Sequence, residues 1–100
     1  MWPTEIISEA KADIQKTVLW YNERQVGLGK MFIENVMTDV ALIQLNPSAF
    51  PRRYKEVRTK VMRRFPFLIH YFIDDKQHKL IIVAVYHMKL NPLNLKKRFK

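Results

Sequence analysis

The chain is expected to fold as an α+β domain in the order β-α-α-β-β-β, with a three- to four-stranded, mainly antiparallel sheet and a helical hairpin packed on one face. Three observations lead there. Two apolar stripes at helical spacing fill the first half of the chain and are separated by glycines. Two continuous apolar runs, "FLIHYFI" and "LIIVAVY", flank the turn "DDKQHK" in the second half. One hundred residues, 48% of them hydrophobic, supply one core and leave no room for a second, so residues 1–100 are expected to form a single domain.

Thr4 to Ser8 carries Ile6 and Ile7 and reads as an edge strand, because Pro3 cannot donate to a ladder. Ser8 suits a helix N-cap, with Glu9 in the first turn. Ala10, Ile14, Val18 and Tyr21 then line one face of a helix running to about Arg24. Gly27 and Gly29 let the chain reverse. Leu28, Phe32, Val36, Val40 and Ile43 repeat the stripe until Asn46-Pro47 ends it. In "YKEVRTKVM", Val57, Thr59 and Val61 alternate with Arg58, Lys60 and Met62, the pattern of a strand with one covered and one open face. The apolar set is assigned to the covered side, so Arg58 and Lys60 are expected on the open one. The two apolar runs form a central hairpin, and a basic tail begins at about residue 88.

The net charge of +9 is segregated: residues 1–51 carry −2 and residues 52–100 carry +11. Clustered Lys and Arg attract polyanions and release counterions on contact, so a phosphate-bearing partner for the second half is expected. With no cysteine, disulfide frameworks and thiolate zinc sites are excluded, and a reducing, cytoplasmic setting fits. Neither a signal-peptide pattern nor an apolar stretch near the roughly 18 residues needed to span a bilayer is found, so no membrane partner is expected.

No P-loop, dinucleotide turn, H-E-x-x-H or G-x-S-x-G motif occurs, and no cofactor is called for. His70, His78 and His87 have no acidic ligand set around them in sequence, so no metal is expected. His87 ends a long apolar strand. An imidazole held on a rigid strand end exchanges protons near neutral pH, which makes His87 the first candidate catalytic group. Arg58 is the second, placed in mid-strand to clamp a phosphate through a two-pronged guanidinium. Arg52, Arg53, Lys55, Lys60, Lys89 and Arg98 are the candidate nucleic-acid contacts. Tyr71 and Tyr86 suit stacking on bases, although tyrosines in central strands more often belong to a core.

Taken in order, Trp20-Tyr21, "GLG" at Gly27 to Gly29, Phe32, Asn46-Pro47, Phe50-Pro51, Val57-Arg58, "FPF" at Phe65 to Phe67, Tyr71, "AVYH" and Arg98 resemble the RelE/ParE toxin superfamily over nearly the whole chain. The resemblance implies the toxin of a bacterial type II toxin-antitoxin pair, often tied to plasmid stabilisation and held inactive by a cognate antitoxin. It also implies one of two activities. RelE-like members act on the ribosome and cut mRNA without a metal, as mRNA interferases; ParE-like members poison DNA gyrase and need no nuclease site. By position, the resemblance implies that Arg58 corresponds to the basic residue of the family's second strand and His87 to its strand-end polar residue. On that reading His87 protonates the leaving 5′-oxygen while Arg58 and nearby lysines stabilise the phosphorane. The chain departs from nuclease members at Leu68, where some carry arginine, and at Lys89 and Leu95, where arginine and tryptophan are common. A ribosome-dependent endoribonuclease is the leading expectation, with a gyrase inhibitor or an inactive homologue as alternatives.

Overall fold

The computed structural model describes residues 1–90 and Arg98. Two glycines set its helical hairpin. The first helix, α1 (Ser8–Arg24), ends as the chain bends to Gly27, whose φ of +95° is open to glycine at little steric cost; α2 (Leu28–Leu45) starts there. Gly29 lets the helices meet, because a Cβ at that position would lie 2.7 Å from Val18 Cγ1 and from Asn22 Nδ2. Its backbone N–H donates to Asn22 Oδ1 at 2.9 Å, which ties the two helices at their junction.

The helix start differs by one residue from the capping pattern. Ile7, extended at φ −66°, ψ 159°, occupies the N-cap, and Ser8 lies inside α1 with its hydroxyl donating to Glu9 Oε1. The cause is tertiary: the Ile7 N–H is bonded to Ile82 O at the sheet while its carbonyl already accepts the first helical bond from Lys11.

Below the helices lie five strands in the order β1-β5-β4-β3-β2: β1 (Thr4–Ile6), β2 (Arg52–Tyr54), β3 (Val57–Val61), β4 (Phe67–Asp74) and β5 (Lys79–His87). The β1–β5 pair is parallel and the rest are antiparallel. A 3-10 turn, Pro47–Ala49, joins α2 to β2. The fifth strand, β2, exceeds the three to four expected. Arg52-Arg53-Tyr54 has no strand pattern of its own and is drawn into the sheet by pairing, with Arg52 opposite Arg58 and Tyr54 opposite Val57.

The β4–β5 ladder contains a bulge: His70 faces Ala84, Tyr71 faces Ile82, and Val83 is the extra residue. That extra residue keeps both strands in phase across the bulge. Ile69, Tyr71, Val85, Ile82 and Leu80 all turn toward α1 and α2 and join Phe32, Val36, Val40 and Ile43 in one core. At one end Tyr21, Phe32, Phe65 and Phe67 pack edge-on at centroid distances of 4.9 to 5.2 Å, contacts worth about 0.5–1.5 kcal/mol each beyond their burial. Tyr71 donates its hydroxyl to Pro47 O, which pins the 3-10 turn to the sheet.

Cross-strand register overturns the assigned faces of β3. Arg58 stands opposite Tyr71 and Lys60 opposite Ile69, and opposite residues share a face. Tyr71 and Ile69 lie on the helix side of the sheet, so Arg58 and Lys60 share that side, with Lys60 buried and Arg58 half-buried beside the 3-10 turn. Thr59 and Val61, opposite His70 and Leu68, point the other way, and Val61 is 54% exposed whereas Lys60 is 7%. Period two separates two faces without saying which one the helices cover. Here a buried carboxylate decides: Lys60 Nζ reaches Asp39 Oδ1 on α2 at 2.8 Å. The second face is not bare either, because Thr59, His70, Ala84 and Tyr86 are buried on it and Tyr54 packs against Ala84 and Tyr86.

Candidate functional site

A groove of about 590 Å³ opens between α1 and the ends of β4 and β5. Trp20 and Tyr21 form the α1 wall, Phe67 the floor, and Tyr86, His87 and Leu90 the opposite side, with Lys16 on the rim. β5 positions His87. Its Nδ1 accepts the backbone N–H of Lys89 at 3.2 Å, its ring meets Phe67 edge-on at 5.3 Å, and its carbonyl accepts Leu90 N–H at 2.9 Å. With Nδ1 turned to the Lys89 N–H, Nε2 is the ring nitrogen left to meet a ligand.

Beyond β1, the margin of β5 is closed by side chains. Asp13 Oδ2, from α1, accepts Val85 N–H at 3.1 Å, and Arg98 donates to Val83 O at 3.0 Å. Arg98 also binds both oxygens of Asp13, at 2.7 and 3.1 Å, and its guanidinium lies 5.0 Å from the Tyr86 ring centre. The bond from Asp13 raises the pKa of Arg98 above its ordinary value. On the second face Tyr54 Oη and His70 Nδ1 are 3.2 Å apart. Burial lowers His70 to about 4, with help from the charges of Arg53 and Arg98, and raises Tyr54 to about 12. Both are therefore neutral at pH 7 and share one hydrogen bond whose direction follows the imidazole tautomer.

The residues singled out from sequence do not converge. Arg58 faces the 3-10 turn and donates to Phe50 O at 2.7 Å and Ser48 O at 3.2 Å. Lys60 is buried with Asp39 instead of lining an open surface. Arg98 is paired to Asp13. Arg52, Arg53 and Lys55 are exposed at the β2–β3 hairpin, and Lys89 is exposed beside His87. His87 lies opposite Phe67 and Arg58 opposite Tyr71, four residues apart on β4 and so about 13 Å along that strand, with β4 between them. One phosphate cannot touch both.

Sequence reading missed Asp13, Tyr54 and the Asn35–Asp39 pair. The last left a signal: Asn35 and Asp39 lie one turn apart beside the apolar stripe of α2, and a buried carboxylate requires a partner. Among the described residues no group of three or more His, Asp and Glu is placed to hold a metal, and no helix is long and apolar enough to cross a membrane.

Comparison with solved structures returns the same architecture. A chain from the chromosomal ParDE toxin-antitoxin system of P. aeruginosa superposes with a TM-score of 0.76 at 16% identity, covering 87% of this chain and 96% of that one. A chain of the RelBE2 toxin-antitoxin complex from Mycobacterium tuberculosis superposes at 0.59 with 18% identity, covering 86% and 96%. A search of curated proteins returns no match. The family model for the ParE toxin of the type II toxin-antitoxin system parDE matches residues 5–92. With that match spanning most of the chain and the β-α-α-β-β-β-β fold agreeing with it, this protein belongs to the ParE toxin family of type II toxin-antitoxin systems.

Proposed function

We propose that this toxin acts by binding a protein target, DNA gyrase, in the cytoplasm, and that it needs no nuclease site. The observation that carries the reading is that Arg58 and Lys60 are both engaged by the fold, half-buried Arg58 by carbonyls at the 3-10 turn and buried Lys60 by Asp39. Phosphoryl transfer needs cations aimed at one scissile phosphate, whereas these two hold the 3-10 turn and the α2 carboxylate. The ParE family match supports the same side of the choice. The His87 groove, with its aromatic walls and basic rim, suits a protein segment that fills it with an apolar side chain and hydrogen-bonds to His87. A cognate antitoxin with acidic segments is the partner that would hold the toxin inactive.

Ribosome-dependent mRNA cleavage is the second reading, favoured by the partial exposure of His87 at a strand end and by the exposed cations Arg52, Arg53, Lys55 and Lys89. Controlled induction with parallel assays separates the two. The gyrase reading expects supercoiling by purified gyrase to fall when the protein is added, with transcripts in induced cells left intact. Full-rate supercoiling together with cleavage inside codons that disappears in His87→Ala would overturn it.

A further inference from the structure

Past the end of β1, two side chains stand where another strand could pair with β5. β1 pairs with β5 only from Leu80 to Ile82, because the chain turns into α1 once Ile7 N–H has bonded to Ile82 O. The bulge at Val83 then changes which residues face that side. Val83 O and Val85 N–H point out of the sheet there and meet Arg98 Nη1 at 3.0 Å and Asp13 Oδ2 at 3.1 Å. Met88 N–H turns the other way, to Pro66 O, so by alternation Val85 O and His87 N–H face the margin as well.

Arg98 Nη1 and Nη2 hold Asp13 Oδ2 and Oδ1 at 2.7 and 3.1 Å, and the two side chains are only 17% and 14% exposed. A largely buried ion pair is weak evidence for stability, since desolvation offsets the attraction. This one has a second task. Its carboxylate stands where a neighbouring strand would put a carbonyl, and its guanidinium where that strand would put an N–H. Uncovered, residues 83–87 would present a row of backbone groups about 17 Å long, a template on which another chain can pair.

We infer that Asp13 and Arg98 are edge guards, which keep the 83–87 margin from pairing with the same margin of a second copy of this chain. A second copy is the occupant because the margin is self-complementary. Laid antiparallel about a two-fold axis through Val85, each copy's Val85 N–H meets the other's Val85 O, and each His87 N–H meets the other's Val83 O. Val83 O and Val85 N–H are the two groups that the guards now hold. The groove between α1 and Val85, Tyr86 and His87 leaves this side of the strand open to approach. The inference concerns association alone and does not depend on whether gyrase or mRNA is the target.

The test compares the full chain with Asp13→Ala/Arg98→Ala, which opens the margin without changing net charge. Sedimentation equilibrium is run at about 0.5 M salt, where a Debye length of about 4 Å screens the repulsion between two chains of charge +9. The parent should stay at its chain mass of 12.0 kDa. The variant should approach twice that mass as concentration rises, with self-association at least about tenfold tighter. Amide hydrogen exchange at Val85 and His87 should slow with concentration in the variant and not in the parent. Arg98→Ala alone, which leaves α1 untouched, should associate in the same way, and it decides the matter if the double variant does not fold. Asp13→Asn/Arg98→Lys, which keeps an acceptor and a donor, should remain monomeric, as should Gly29→Ala, which loosens the fold elsewhere. A folded alanine variant that stays monomeric, association that leaves the Val85 and His87 amides exchanging as in the monomer, or equal association by Gly29→Ala would each overturn the assignment.

Discussion

Replacing Lys60 with methionine asks whether β3 is oriented as described. Lys60→Met keeps the stem and removes the ammonium that neutralises Asp39. Asp39 is 0% exposed and would retain the Asn35 amide at 2.7 Å and the Arg63 N–H at 3.4 Å, two dipoles in place of a charge. Removing one partner of a buried ion pair costs about 3–5 kcal/mol, chiefly through the uncompensated charge left behind. A domain of this size has about 5–15 kcal/mol in total. At about 4–8 °C per kcal/mol, the melting temperature should fall by at least about 12 °C. Circular dichroism on heating and in urea measures this. Adding Asp39→Asn to Lys60→Met should recover most of the loss, since asparagine carries no charge and its carbonyl still accepts the Arg63 N–H. If Lys60→Met stays within about 0.5 kcal/mol of the parent, as a surface substitution would, Lys60 is not beneath α2 and the β3 register is wrong.

Two further outcomes follow from buried groups. His70, at about 4 in the fold against an ordinary 6.5, binds its proton in the unfolded chain before the folded one. Its contribution is complete above about pH 6.5, declines as pH falls toward 4, and amounts to roughly 3 kcal/mol across that window. His70→Gln should therefore flatten the dependence of urea stability on pH between 4 and 7, and an unchanged slope would refute the buried neutral Tyr54–His70 pair. Gly29→Ala should cost about 1–3 kcal/mol, because the added methyl lies 2.7 Å from Val18 Cγ1. Shortening the neighbour in Val18→Ala/Gly29→Ala should relieve part of that cost, and a melting temperature for Gly29→Ala equal to the parent's would refute the close approach.

The helices were legible in the chain because each carries its own period. Phe32, Val36, Val40 and Ile43 recur at three- and four-residue spacing, and a helix has one apolar side to bury whatever its neighbours do. The central strands were legible for a related reason: a long apolar run between turn residues has few other places to go. β2 was not legible, because Arg52-Arg53-Tyr54 is a strand only while β3 lies beside it.

The candidate site was legible in part. His87 does end β5 on an accessible groove, and that groove's aromatic walls were present in the sequence as Trp20, Tyr21 and Phe67 without any sign that they meet. Asp13, 72 residues from the Val85 N–H it caps, gave no local signal at all.

What the sequence determined alone is the inventory: two amphipathic helices, a central hairpin, a basic second half and an imidazole at a strand end. Those follow from local spacing and composition, which are properties of neighbouring residues. Tertiary structure alone decided which face of β3 meets the helices, and with it that Lys60 enters the interior and Arg58 is taken up by the 3-10 turn. Alternation is symmetric between the two sides of a strand. Only the opposing residues, Tyr71, Ile69 and the carboxylate of Asp39, break that symmetry.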